Sequence, residues 1–130
     1  MSNAHAITAP DAPAPIGPYS HAVAANGFLF CSGQTPTDPS TNELVQGDIG
    51  AQTTQVMKNV GAILRAAGLD YADVVKTTIF LAEMSDFAAV NDVYGSYFTA
   101  TKPARSTVAV KTLPKHCSVE IEVIALLKQS

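Results

Sequence analysis

Lys102-Pro-Ala-Arg-Ser-Thr-Val-Ala-Val-Lys111 and Val119-Glu-Ile-Glu-Val-Ile-Ala125 decide how this chain is read. Both runs are strand-like and mostly apolar, yet they carry one arginine and two carboxylates. A charge in such a run is costly unless it is paired or meets a ligand. Alternation puts Arg105 and Thr107 on one face of their strand, and Glu120 and Glu122 on one face of theirs, roughly 7 Å apart. A turn at Leu113-Pro114-Lys115 would make the two strands antiparallel neighbours, with Arg105 beside Glu120. That pair has two readings. It is a cross-strand ion pair organising the sheet or a subunit contact, the latter suiting Glu122 especially. Or it is a site in which a planar guanidinium grips a small carboxylate while Glu120 moves a proton. The residues alone leave both open.

Upstream, residues 1–17 hold prolines and small residues and read as an extended, non-helical lead-in, loosely ordered over 1–7. Tyr19–Ala25 and Phe28–Ser32 flank Asn26-Gly27, the strongest short hairpin signal. Thr35–Gly47 reads as a polar loop. Asp48 is an N-cap candidate. Val56, Val60, Ile63 and Ala67 form one apolar stripe of a helix that Gly68 is placed to end. Val74–Leu81 is β-branched and apolar on both alternate sets, which predicts a strand covered on both faces. Asp86 caps a second helix with Phe87, Val90, Tyr94, Tyr97 and Phe98 on its buried side, and Pro103 bars helix beyond. Strands follow over Ser106–Lys111 and Val119–Leu127. The order β-β-α-β-α-β-β specifies an α+β layer fold in one domain, 1–130, with both helices on one face of a mixed or antiparallel sheet. The other face still carries Ile124 and Leu126 in line with Glu120 and Glu122, and a second copy of the chain is the economical cover.

Composition narrows the class. Among 130 residues, hydrophobic ones make up 47% and charged ones 15%, an apolar surface for a monomer and consistent with subunit contacts. A net charge of −3 offers no nucleic-acid footprint. No apolar run approaches a membrane span, and Met1–Ile16 lacks a signal-peptide pattern, so a cytoplasmic protein is expected. Cys31 and Cys117 belong to no Cys-x-x-Cys pair, and His5, His21 and His116 have no metal-ligand spacing, so they read as packed thiols and ordinary polar or surface histidines. Tyr19 alone reads as packing, Asn91 as solvated, and Ser32-Gly33 as a strand end that is either turn chemistry or a ligand-facing backbone.

Taken together, Ile16-Gly-Pro-Tyr19, Cys31-Ser-Gly-Gln34, Val75-Lys-Thr-Thr-Ile-Phe80, Asp86-Phe87 with Val90-Asn91, Pro103-Ala-Arg-Ser106, Leu113-Pro114-Lys115 and Glu120-Ile-Glu122 resemble, in order and over about residues 8–127, the RidA (YjgF) family of enamine/imine deaminases, also called the endoribonuclease L-PSP family. The resemblance implies a chorismate-mutase-like protomer and a homotrimer whose sheets line a central barrel, with active sites in clefts between subunits. It implies hydrolysis of 2-iminobutanoate and 2-iminopropanoate, released by pyridoxal-phosphate dehydratases, to 2-keto acids and ammonia, with no cofactor and no metal. By position, Arg105 matches the arginine that holds the substrate carboxylate, and Glu120 the glutamate that handles water and proton. Tyr19, Ser32 and Asn91 match pocket residues from the neighbouring subunit, and Gly33 the backbone position beside the serine. Thr107 stands where the family's deaminases usually have cysteine; its hydroxyl can still hydrogen-bond, without thiol reactivity. The alternatives are a non-catalytic small-acid binder and, with less support from the charge, an endoribonuclease.

Overall fold

The computed structural model describes residues 3–128. Its elements are β1 (His5–Ile7), β2 (Ala22–Ala25), β3 (Phe28–Cys31), β4 (Thr37–Asp38), β5 (Glu43–Leu44), α1 (Ile49–Ala66), β6 (Val74–Leu81), α2 (Phe87–Tyr97), β7 (Ala104–Ala109) and β8 (Val119–Leu126). Six strands form one mixed sheet in the order β1-β2-β3-β8-β6-β7, while β4 and β5 make a separate two-stranded hairpin. The α+β expectation of two helices on one sheet face holds.

Local chemistry explains the boundaries. Asn26 (φ 57) and Gly27 (φ 86) take the left-handed conformation that a two-residue hairpin needs, and Ala25 pairs with Phe28 across it. Asp48 caps α1 by accepting from the Ala51 N–H at 2.9 Å, and Gly68 (φ 76) follows its end. Asp86 occupies the N-cap position of α2 but makes no side-chain cap bond, because a short 3-10 turn over Met84–Asp86 leads into the helix instead. The lead-in contains the strand β1, and the expected loop Thr35–Gly47 contains the β4–β5 hairpin; pairs this short leave no periodic signal in sequence.

The core lies between the helices and one sheet face. Val56, Met57, Val60, Ile63 and Leu64 of α1 and Val90 and Tyr94 of α2 are buried against Leu29, Ile79, Leu81, Val119, Ile121, Val123 and Ala125. Fully burying side chains of this size contributes about 1.5–3 kcal/mol each. The opposite face is open in the protomer. Phe28, Phe30, Val108 and Leu126 are 38–51% exposed there. Accordingly β6 is covered on one face only: Thr77, Ile79 and Leu81 are buried, Val75 is exposed, and Lys76, Thr78 and Phe80 are part-exposed. No described helix is long and apolar enough to cross a membrane.

The pairing of the last two strands departs from expectation. β7 lies beside β6, parallel to it, with Arg105 opposite Thr77; β8 lies on the other side of β6, antiparallel, with Glu120 opposite Phe80. The β7–β8 connection straddles the end of β6, where Val110 N–H donates to Leu81 and Ala82 N–H donates to Ser118. The two strands are therefore not a hairpin, and no cross-strand Arg105–Glu120 pair exists.

Candidate functional site

Register determines where each charge points. Arg105 is in line with Thr77, whose hydroxyl meets the Tyr94 hydroxyl of α2 at 2.7 Å, so Arg105 lies on the helix face. Glu120 is in line with Phe80, which is in line with Val108, so Glu120 lies on the open face. Their backbones are separated by two strand spacings and three residues of rise, roughly 14 Å. Within one protomer the guanidinium and the acid sit on opposite sides of the sheet, and the seven predicted residues divide into two groups.

The first group surrounds Glu120. Tyr19, Ser32, Gly33 and Glu120 line a cavity of about 380 Å³, together with Pro13, Ile16, His21 and Gln34. Gly33 is required by close approach: a Cβ there would overlap the Glu120 carboxylate and fall 3.0 Å from its Cδ. The carboxylate is half-buried, and this burial, followed by the charge of Glu122, holds its pKa above the ordinary 4.5. A raised carboxyl suits proton transfer near neutrality. Ser32 lines the cavity and donates its hydroxyl proton to the Ser20 carbonyl at 2.6 Å, which leaves its oxygen as an acceptor. Tyr19 is half-exposed and lies on the wall.

The second group surrounds Arg105. It lines another cavity, of about 450 Å³, with Asn91, Tyr94, Phe98 and Pro103. Arg105 donates to Asn91 Oδ1 at 2.7 Å, and its guanidinium carbon sits 5.1 Å from the Tyr94 ring centre and 5.5 Å from that of Phe87. An amide and two ring faces orient the fork without neutralising it, leaving N–H groups for an anion. Asn91 is thus a positioning neighbour of Arg105 rather than a member of the Glu120 group. Thr107 lies two residues along the same face of β7. Its Oγ1 is buried without a hydrogen-bond partner among the described residues.

The thiols are passive. Burial pushes Cys31 up to about 12 and raises Cys117 as well. Among the described residues no group of three or more His, Cys, Asp or Glu side chains could hold a metal ion. Two residues that matter to the first cavity had no decisive signal in sequence. His21 is 6% exposed, with both ring nitrogens bonded, against the expectation of an ordinary polar or surface histidine. Asn59, fully buried on α1, donates to the carbonyls of Thr35 and Thr37, which line the same cavity. A polar residue beside the Val56–Val60–Ile63 stripe was the available hint.

The chain is similar to known proteins in sequence and fold. Residues 9–127 match the model of the family described as Endoribonuclease L-PSP. A RutC family protein of Pyrococcus horikoshii is 55% identical over 115 residues, 88% of this chain and 91% of the relative. The 2-iminobutanoate/2-iminopropanoate deaminase of Mus musculus is 48% identical over 120 residues, 92% of this chain and 89% of the relative. The crystal structure of E. coli TdcF with bound serine superposes with a TM-score of 0.90 at 41% identity, covering 95% of this chain and 99% of that one. The chain belongs to the endoribonuclease L-PSP family, that of YjgF and RidA.

Proposed function

We propose that this protein is a 2-iminobutanoate/2-iminopropanoate deaminase whose site is completed when two copies of the chain meet. The observation that carries this reading is the division of the predicted residues. A proton-handling group (Glu120 with Ser32, Gly33 and Tyr19) and an anion-gripping group (Arg105 with Asn91) lie on opposite faces of one sheet. Each is half of a site for a small acid that gains or loses a proton. The exposed Phe28, Phe30, Val108 and Leu126 beside Glu120 favour association of copies, and a closed homotrimer is the family's expected form.

In this reading Arg105 of one subunit grips the substrate carboxylate bidentately and fixes the imine carbon. Glu120 of the next takes a proton from water as its oxygen bonds to that carbon. That proton passes to nitrogen, giving a carbinolamine; Glu120 then takes the remaining hydroxyl proton and hands it to nitrogen as the C–N bond breaks, so that a 2-keto acid and ammonia leave. Ser32 accepts a hydrogen bond from the nitrogen. Free imines already hydrolyse in water, so the required acceleration is modest. Thr107 keeps a hydroxyl near the carboxylate grip without a nucleophilic thiol.

The test is hydrolysis of the enamine formed by threonine dehydratase from threonine, followed as 2-ketobutyrate or ammonia, with wild type, Arg105→Ala and Glu120→Ala. Loss in both variants supports the reading, and full activity in both removes it. A binding role without turnover is favoured by one observation, the serine held by the E. coli relative. Equilibrium binding of 2-ketobutyrate with no faster ammonia release would select it. Endoribonuclease activity is opposed by the net charge of −3.

A further inference from the structure

We propose that His21 is a positioning residue that holds one wall of the Glu120 cavity, and that it does so only as the neutral Nε2–H tautomer; the catalytic arm of this inference rests on the deaminase reading above. The imidazole is 6% exposed and bonded at both nitrogens. Nδ1 accepts from the Ala9 N–H at 2.9 Å, and Nε2 lies 2.9 Å from the Pro13 carbonyl oxygen. An N–H can meet only an unprotonated nitrogen, and a carbonyl only an N–H, so the two partners together fix the tautomer.

The ring is a clamp between two stretches of the wall. The Ala9–Pro13 turn, closed by Ala12 N–H to the Ala9 carbonyl, leads into Pro13, Ala14, Ile16 and Tyr19, all of which line the cavity. On the other side the His21 carbonyl accepts from the Ser32 N–H at 2.9 Å, and the Ser32 hydroxyl bonds to Ser20. The side chain therefore ties the Ala9–Pro13 turn to the backbone at His21, and that backbone in turn holds the strand end carrying Ser32 and Gly33. Protonating Nδ1 would place an N–H against the Ala9 N–H and release that segment.

Other titratable groups surround the clamp without bonding to the ring. Asp11 lies within the clamped turn, Tyr19 is on the wall, Glu120 reaches the cavity from β8, and Lys115 stands at its rim. Cys31, beside Ser32, is held protonated by burial.

The experiment reads the ring and the wall directly. In ¹⁵N-labelled wild type at neutral pH, the Nδ1 shift of His21 should be that of an unprotonated acceptor and Nε2 should carry the proton. A scalar coupling across the hydrogen bond should join the Ala9 amide nitrogen to Nδ1. In His21→Gln, which keeps a donor and an acceptor, the Ala9 and Ser32 amide resonances should stay close to their wild-type positions, and in His21→Ala they should move. His21→Ala should lose about tenfold in kcat/KM, mostly through KM, while His21→Gln stays within about threefold of wild type. A proton on Nδ1 at neutral pH overturns the clamp, as does a folded His21→Ala with unchanged kcat/KM. Should His21→Ala not fold, the wild-type tautomer and the coupling to the Ala9 amide still decide. Should wild type show no hydrolysis, the deaminase reading falls while the resonance experiment still judges the clamp.

Discussion

The Glu120 carboxylate rests directly on the backbone of Gly33, with no room for a single methyl group between them. The obstructed atom is the far end of a flexible side chain, so a larger residue at 33 displaces the acid instead of breaking the sheet. Gly33→Ala should therefore fold, with stability changed by less than about 1 kcal/mol. Its deaminase activity should fall by about 10²-fold, the effect of misplacing a reacting group by an ångström or so. Thermal melts and coupled turnover on the same preparation check this. A variant with normal activity would mean that the carboxylate position is not critical.

Glu122 tunes Glu120 through like charge. Removing it in Glu122→Gln lowers the Glu120 pKa, so the acid limb of kcat/KM should move to lower pH with its plateau kept. The sign for stability runs the same way. A carboxyl raised in the folded state stabilises fully below its unfolded value near 4.5, and loses that contribution as pH rises through the folded value. At neutral pH the buried carboxylate is thus a cost. Arg105 from a neighbour would oppose it, so the comparison is cleanest with Arg105→Ala as background. There, adding Glu120→Gln should raise Tm at neutral pH, and the difference should close in acid below 4.5. A constant difference across pH would contradict burial as the cause.

Thr107 carries a buried hydroxyl with no partner among the described residues. An unpaired buried hydroxyl is a net loss that valine, of nearly the same shape, avoids. Thr107→Val should stabilise the protein by about 1 kcal/mol in urea unfolding. If the hydroxyl is reserved for substrate beside Arg105, the same variant should bind 2-ketobutyrate several-fold more weakly. Destabilisation by valine would show instead that the assembled protein supplies the missing partner.

Much of this architecture is legible from local chemistry. Asn26-Gly27 dictates its hairpin because only a left-handed pair matches strand twist, and Asp48 and Gly68 bracket α1 by capping. Strand partners are another matter. Period-2 alternation says which face Arg105 occupies on its own strand, but not which strand lies alongside. The short run from Val110 to Ser118 resembles a hairpin loop, yet it bonds to both sides of the end of β6. The signal for the true pairing is β6-α2-β7, a strand-helix-strand unit that favours parallel pairing. The burial of His21 is illegible for a similar reason. Its partners, Ala9 and Pro13, are backbone groups twelve and eight residues away, and no side-chain pattern announces them.

Because Arg105 and Glu120 face opposite sides of the sheet, the deaminase reading requires that each site draw them from different subunits. Mixing inactive variants tests this. Arg105→Ala keeps Glu120, and Glu120→Ala keeps Arg105. Unfolding the two together and reassembling them at equal ratio produces head-to-tail interfaces of four kinds, one of which joins an intact Glu120 to an intact Arg105. Activity should then return to roughly a quarter of the wild-type level, whatever the number of subunits in the closed ring. Each variant treated alone should stay inactive. If both residues of a site came from one subunit, no mixture could restore it, since every chain would carry a defect in its own pair. Absence of recovery, with reassembly verified by size and by wild-type controls, would therefore rule out a site shared across the interface.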